Sequence, residues 1–161
     1  MPSQVLSEQS LEVQAFVALL RAHAATTRQL NARLIADHGL TMADYDVLLH
    51  LAWAPDRRLR RVDLAERVLL TASGVTRLLD GLERGGLVER GPCDGDRRVV
   101  YAVLTDSGLA KLREASETHV PQVEALLASR FDDGELADLR AYLGRLVEGD
   151  VAGDCGPPAS L

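Results

Sequence analysis

One continuous stretch, residues 64–105, most constrains what this chain can fold into. Its sequence, LAERVLLTASGVTRLLDGLERGGLVERGPCDGDRRVVYAVLT, begins with two short segments whose apolar residues recur at helical spacing. A glycine pair ends the second segment, and two runs of alternating or β-branched residues follow, separated by a loop rich in Gly, Pro and Asp. The order helix, turn, helix, strand, loop, strand predicts a winged helix-turn-helix.

Long helices are predicted on both sides of this stretch. Residues 8–37 place apolar side chains at three- and four-residue spacing, and Gly39 follows as a left-handed stop. Residues 107–131 and 133–148 show the same pattern, with a kink or break expected near Val120 because Pro121 lacks an N–H group. These helices carry more apolar surface than one small winged domain covers, so they predict packing against a second copy.

The fold class is therefore mainly α, with a small β-hairpin wing and a helical dimerisation region. Four parts are expected along the chain: an N-terminal dimerisation helix in residues 1–40, a DNA-binding winged helix-turn-helix in 41–105, C-terminal dimerisation helices in 106–148, and a flexible tail in 149–161.

The start of the second short helix carries the residue types that read DNA. A helix-turn-helix places the N-terminal residues of this helix against base edges in the major groove. Short hydroxyl side chains allow close approach, and arginine pairs bidentately with guanine. An ordinary amphipathic helix would also have a polar outer side, but the wing that follows favours DNA contact. The predicted contacts are Thr71, Ala72, Ser73, Thr76 and Arg77.

The loop between the two predicted strands ends in Asp96-Arg97-Arg98. An arginine side chain is slim and always charged, which suits a narrow minor groove. We expect Asp96 to orient Arg98 and Arg97 to meet the DNA backbone. A solvated charged hairpin is the less favoured alternative.

Charge is segregated along the chain, although the net charge is −6. Residues 57–98 hold ten arginines and seven acidic residues, whereas the rest holds eight basic and seventeen acidic residues. One basic segment, Arg57 to Arg61, lies in a predicted connection, and two interpretations of it are open. It is either a solvated basic turn or a phosphate anchor, in which case Arg60 and Arg61 contact DNA.

Several functional classes are disfavoured by the sequence. No apolar run approaches the roughly 20 residues of a membrane span, and residues 1–10 do not resemble a signal peptide, so we expect a cytoplasmic protein without membrane contact. The two cysteines, Cys93 and Cys155, are far apart and form no metal-binding pattern. A phosphate-binding glycine loop and a nucleophile motif are also missing, so we expect neither an enzyme nor a cofactor.

The ordered set of motifs resembles the multiple-antibiotic-resistance regulator (MarR) family of bacterial repressors. The motifs that carry the resemblance are Leu64-Ala65, Val75-Thr76-Arg77-Leu78, Leu82-Glu83, Gly86-Leu87-Val88-x-Arg90, and Asp96-x-Arg98 followed by Leu104-Thr105-x-x-Gly108. The resemblance implies a homodimer whose first and last helices interlock and whose two winged heads bind palindromic double-stranded DNA. It also implies that Arg98 is the wing arginine and Asp96 its partner.

The same resemblance implies release from DNA by a small, often aromatic, effector. Its pocket would lie where the first, second and fifth helices meet the winged head, and the candidates there are His23, Thr27, Tyr45 and Trp53. Ordinary packing is the alternative role for these residues. Peroxide sensing in the family uses a cysteine on the first helix, and this chain has none before Cys93.

The sequence therefore predicts a dimeric, sequence-specific DNA-binding transcriptional regulator, a repressor released by a small ligand. The alternative is a winged-helix module for protein interaction that does not bind DNA. A steep loss of affinity with rising salt would separate the two, because it reports phosphate contacts.

Overall fold

The computed structural model describes residues 10–68, 72–92 and 100–147. Its elements are α1 (Leu11–His38), α2 (Met42–Trp53), a 3-10 turn (Pro55–Arg57), β1 (Arg58–Arg60), α3 (Arg61–Arg67), α4 (Ala72–Arg84), β2 (Val88–Pro92), β3 (Val100–Leu104), α5 (Asp106–Ala128) and α6 (Asp133–Val147). The predicted mainly α fold with a small β-sheet is confirmed. The chain divides after Met42 into two compact units.

The first unit contains α1, which is buried only near its C-terminal end. Leu30 and Leu34 are buried, whereas Phe16 and Leu20, on the predicted apolar stripe, are exposed. Gly39 ends the helix with φ of 68°, and its N–H donates to the carbonyl of Ile35. The predicted left-handed stop is therefore confirmed.

The second unit contains a three-stranded antiparallel sheet with the order β1-β3-β2. The expectation that Arg57–Arg61 forms only a connection was wrong, because Arg58–Arg60 pairs with β3. Leu59 lies opposite Ala102 and is buried, while Arg58 and Arg60 point to solvent. This alternation with a period of two residues is what a half-buried strand requires.

The core of the second unit forms between the helices and the inner side of this sheet. Helix α4 buries one side and exposes the other, as its sequence predicts. The largest fully buried side chains in this unit are Val47, Leu48, Leu51, Leu64, Val75, Leu79, Val88 and Leu112.

The junction between α4, β2 and α5 is fixed by backbone hydrogen bonds. Gly86 adopts φ of 71°, its N–H donates to the carbonyl of Glu83, and the N–H of Leu87 donates to that of Leu82. This pattern is a Schellman C-cap, which glycine adopts at least cost. Thr105 then caps α5, because its hydroxyl accepts from the N–H of Gly108 at 2.9 Å and donates to the carbonyl of Gly86 at 2.7 Å.

Helix α5 is continuous through Pro121, so the break predicted near Val120 does not occur. Pro121 is itself exposed, while His119 and Leu126 on either side of it are buried. Packing of these side chains holds the helix despite the hydrogen bond that proline removes. The helix ends at Ala128, three residues before the predicted end.

Candidate nucleic-acid interface

Helices α3 and α4 occupy the positions of a helix-turn-helix, and α4 presents a polar outer side. Ser73, Thr76 and Arg77 are exposed near its N-terminus, while Val75 and Leu79 are buried on the opposite side. Among the residues described, Arg77 has no ion-pair partner, so its guanidinium is available for an external acceptor.

Glu83, near the C-terminal end of α4, is the centre of an ion-pair cluster. Its carboxylate accepts from Nε of Arg90 on β2 at 2.7 Å and from Nη2 of Arg61 on α3 at 3.3 Å. Nη2 of Arg90 also donates to Oδ1 of Asp80 at 3.0 Å. Hydrogen bonding to Glu83 and the charges of Glu83 and Asp80 raise the pKa of Arg90.

Arg60 and Arg61, the predicted phosphate anchors, both have carboxylate partners. Arg60 donates to Asp63 through Nε and Nη2, each at 2.7 Å, and this hydrogen bonding raises the pKa of Arg60. Arg61 is only 25% exposed beside Glu83. The prediction that either residue contacts phosphate therefore requires that its guanidinium be shared with, or leave, an acidic neighbour.

The structure sorts the arginines between positions 57 and 90 into three groups: those paired with carboxylates, those held by other contacts, and those without an acidic partner among the described residues. Those paired with carboxylates are Arg57, Arg60, Arg61 and Arg90. Arg58 lies over the ring of Tyr101 at 5.0 Å, and Arg84 donates to the backbone carbonyl of Asp80. Arg67, exposed in the last turn of α3, was not predicted as a contact, and like Arg77 it has no acidic partner in the part of the chain that the structure describes.

Some predicted contacts lie outside the described residues. These are Thr71, Asp96, Arg97 and Arg98. Cys93 also lies outside the described residues. Ala72 is the first residue of α4.

The predicted effector residues are divided between the two units. In the first unit, His23 is exposed and Thr27 is half-buried. In the second unit, the hydroxyl of Tyr45 lies 3.0 Å from Oγ of Ser116, and its ring centroid lies 4.7 Å from that of His119. These contacts show that Tyr45 joins α2 to α5.

Trp53, at the end of α2, buries an indole N–H that has no hydrogen-bond partner among the residues described. Its ring meets that of His50 edge to face, with centroids 6.0 Å apart. His50 also lies 3.6 Å from Oδ1 of Asp46. Burial raises the pKa of Asp46, and the charge of His50 opposes this shift.

Two features are absent from residues 10–68, 72–92 and 100–147. None of the helices there combines the length and the apolar character that crossing a membrane requires. The same residues contain no group of three or more His, Cys, Asp or Glu side chains placed to hold a metal ion.

Comparison with known proteins identifies the family. Residues 38–99 match the MarR family. The HTH-type transcriptional repressor YetL of Bacillus subtilis is 34% identical over 113 residues, which are 70% of this chain and 67% of YetL. The MarR-family regulator AbsC of Streptomyces coelicolor is 30% identical, with a TM-score of 0.77 over 88% of this chain and 95% of AbsC. The chain belongs to the MarR family.

A second Streptomyces coelicolor member of the MarR family, Sco3205, was solved in complex with DNA. It is 28% identical to this chain, with a TM-score of 0.80 over 94% of this chain and 96% of Sco3205. MarR-family members such as these are transcriptional regulators and not enzymes, which confirms the function class and the winged helix-turn-helix predicted from sequence.

Proposed function

We propose that this MarR-family regulator is a homodimer that binds a palindromic DNA operator through two winged heads. We further propose that it acts as a repressor and that a small aromatic ligand releases it from DNA. YetL is named a repressor, and Sco3205 binds DNA in its crystal structure, so both activities occur in similar proteins.

The observation that carries the proposal is the outer side of α4. Ser73 and Thr76 are exposed near the helix N-terminus, where hydroxyl groups and the positive end of the helix favour phosphate and base edges. Arg77 follows on the same side without an acidic partner among the described residues. It is therefore the residue of α4 best placed to pair with a guanine.

The remaining proposed contacts supply affinity rather than sequence preference. Arg60 and Arg61 would approach phosphates beside α3, and Arg97 and Arg98 would enter or flank the minor groove, with Asp96 orienting Arg98. Thr71 and Ala72, beside Ser73, are the proposed exceptions and would meet base edges in the major groove.

Dimer formation is supported by α6. None of its residues is buried, and its exposed side chains include Tyr142, Leu143, Leu146 and Val147. An apolar side of this kind favours association because burial removes it from water.

Ligand release is supported by the aromatic groups at the end of α2. The buried indole N–H of Trp53 would donate a hydrogen bond to a ligand carboxylate, and its ring offers a surface for stacking. His23, Thr27 and Tyr45 remain the other proposed contacts. A thermal-shift panel of aromatic acids tests this part, since a ligand must stabilise the protein and also lower its affinity for DNA.

Selection of bound duplexes from a random pool tests DNA recognition. We expect a palindromic sequence whose affinity falls steeply with salt. Arg77→Ala should relax preference at one base position in each half-site and cost about 1–3 kcal/mol there. Arg113→Ala, which removes an exposed charge from α5, is the control and should leave the preference unchanged. Failure to enrich any sequence, with binding indifferent to salt, would favour the protein-interaction alternative.

A further inference from the structure

The carboxylate of Glu83 is shared by arginines from the two elements that flank α4. Arg61 belongs to α3, which precedes the helix, and Arg90 belongs to β2, which follows it. Arg90 also reaches Asp80, one turn earlier on α4. We call these four side chains the bracket: Arg61, Asp80, Glu83 and Arg90.

The bracket is partly shielded from water, so the loss of one of its charges would be poorly compensated by solvent. The side chain of Glu83 is 20% exposed and that of Arg61 is 25% exposed. Nε of Arg61 is buried and has no hydrogen-bond partner among the residues described. Loss of the Glu83 carboxylate would leave this guanidinium without a neutralising neighbour, so Arg61 and α3 would have to rearrange.

The two arginines connect α4 with the other parts of the head that the sequence assigns to DNA. Arg90 lies on β2, which ends at Pro92, directly before the segment that the sequence predicts to be the wing loop. Arg61 opens α3, the first helix of the helix-turn-helix. Arg90 donates from Nε to Glu83 and from Nη2 to Asp80. Because its planar guanidinium joins two carboxylates of α4, Arg90 restricts the angle between α4 and β2 more than a point charge would.

We propose that Glu83 and Arg90 are positioning residues that hold α4 at the angle at which it and the wing reach one duplex together. This inference rests on the proposed DNA binding by the head. The proposal predicts that removal of Glu83 changes DNA affinity in the direction opposite to that expected from charge alone. Removal of an acidic group near DNA ordinarily strengthens binding, whereas removal of Glu83 weakens it, because the orientation of α4 is lost.

The experiment measures affinity of the full chain for the DNA selected from the random pool. Glu83→Gln and Arg90→Gln are made singly and together, and each single variant should weaken binding about tenfold. The double variant should bind no more weakly than the weaker single variant, because either change alone already opens the bracket. Glu89→Gln, which removes an exposed carboxylate from the same strand as Arg90, is the matched control and should bind at least as tightly as the unaltered protein.

Salt dependence separates positioning from direct contact. The slope of log affinity against log salt should be the same for Arg90→Gln as for the unaltered protein, because Arg90 is not a proposed phosphate contact. A slope that falls by about 0.9 per phosphate in Arg90→Gln would show that Arg90 itself contacts DNA and would overturn the proposal. Unchanged or tighter binding by Glu83→Gln, or strictly additive losses in the double variant, would also overturn it.

Arg90→Lys guards against a trivial loss of folding. Lysine keeps the charge but cannot span Glu83 and Asp80, so this variant should lose affinity by a factor similar to that of Arg90→Gln while melting within a few degrees of the unaltered protein. Full DNA binding by Arg90→Lys would show that charge alone suffices. If the unaltered protein enriches no DNA, the proposed function fails together with the bracket. If it binds and the variants match it, only the bracket fails.

Discussion

Helices α4 and α6 are of similar length, 13 and 15 residues, but the apolar residues of α4 are buried and those of α6 are exposed. In α4, Val75, Leu79 and Leu82 are at most 4% exposed. In α6, Tyr142 is 56% exposed and Leu146 is 70% exposed. The described part of the chain therefore buries the apolar side of α4, whereas α6 keeps an apolar side exposed, which a second copy would cover in the proposed dimer.

The test with the largest expected effect concerns the junction between α4, β2 and α5. A Cβ atom at Gly108 would collide with the carbonyl oxygen of Leu87 and would lie 2.7 Å from Cδ1 of Leu104. The obstruction is backbone, which cannot rotate away, so Gly108→Ala should destabilise the fold by about 3 kcal/mol or more. Urea denaturation followed by circular dichroism measures this change.

Gly81→Ala is the matched control for that substitution. Gly81 also lies within a helix, but a Cβ there meets nothing within 4 Å. Alanine should therefore raise the free energy of unfolding by about 0.5–1 kcal/mol through helix propensity. Equal effects at the two glycines would mean that the contact between Gly108 and the backbone of Leu87 is not as close as the structure shows.

The second test concerns the exposed side of α6. Burial of a leucine at an interface contributes about 1.5–3 kcal/mol, and a glutamate there adds the cost of burying its charge. Leu146→Glu should therefore raise the dimer dissociation constant at least about tenfold. Sedimentation equilibrium measures it, with little change expected in the stability of the head.

Ala141→Glu is the control for the dimer test, because it introduces the same charge on the opposite side of α6. It should leave the association unchanged. If Leu146→Glu and Ala141→Glu behave alike, or if the unaltered protein is monomeric at micromolar concentration, the exposed apolar side of α6 is not a dimer interface.

The sequence predicted those features that depend on neighbours in the chain. The extent of α4, its polar outer side and its glycine stop all follow from helical periodicity and local backbone preference. Strand β1 was missed because Leu59 is its only apolar residue and its partner, Ala102, lies far away in sequence. Of the kink or break predicted near Val120, the break does not occur, because packing outweighed a local preference.

The candidate site divides in the same way. Exposure of Ser73, Thr76 and Arg77 follows from the pattern of α4 itself. The pairing of Glu83 with Arg61 and Arg90 does not, because it joins residues 22 and 7 positions apart on three different elements. The charge pattern of the sequence alone leaves Arg61 available for a phosphate, although folding gives it Glu83 as an acidic neighbour.

The test with the smallest expected effect concerns Asp46 on α2. Burial raises the pKa of Asp46 above its ordinary value, against the opposing charge of His50. The folded state then holds this proton more tightly than the unfolded state, so stability falls as pH rises from about 3.9 through the raised pKa. Asp46→Asn mimics the protonated form and removes this fall.

Asp46→Asn should therefore increase the free energy of unfolding more at pH 7 than at pH 4. The gain should stay below about 1 kcal/mol, because the side chain is 43% exposed and solvent screens its charge. Urea denaturation at both pH values measures it, with Asp138→Asn on the exposed α6 as the control. A larger gain at pH 4 would mean that attraction to His50 outweighs burial, and α2 would then owe part of its stability to that ion pair.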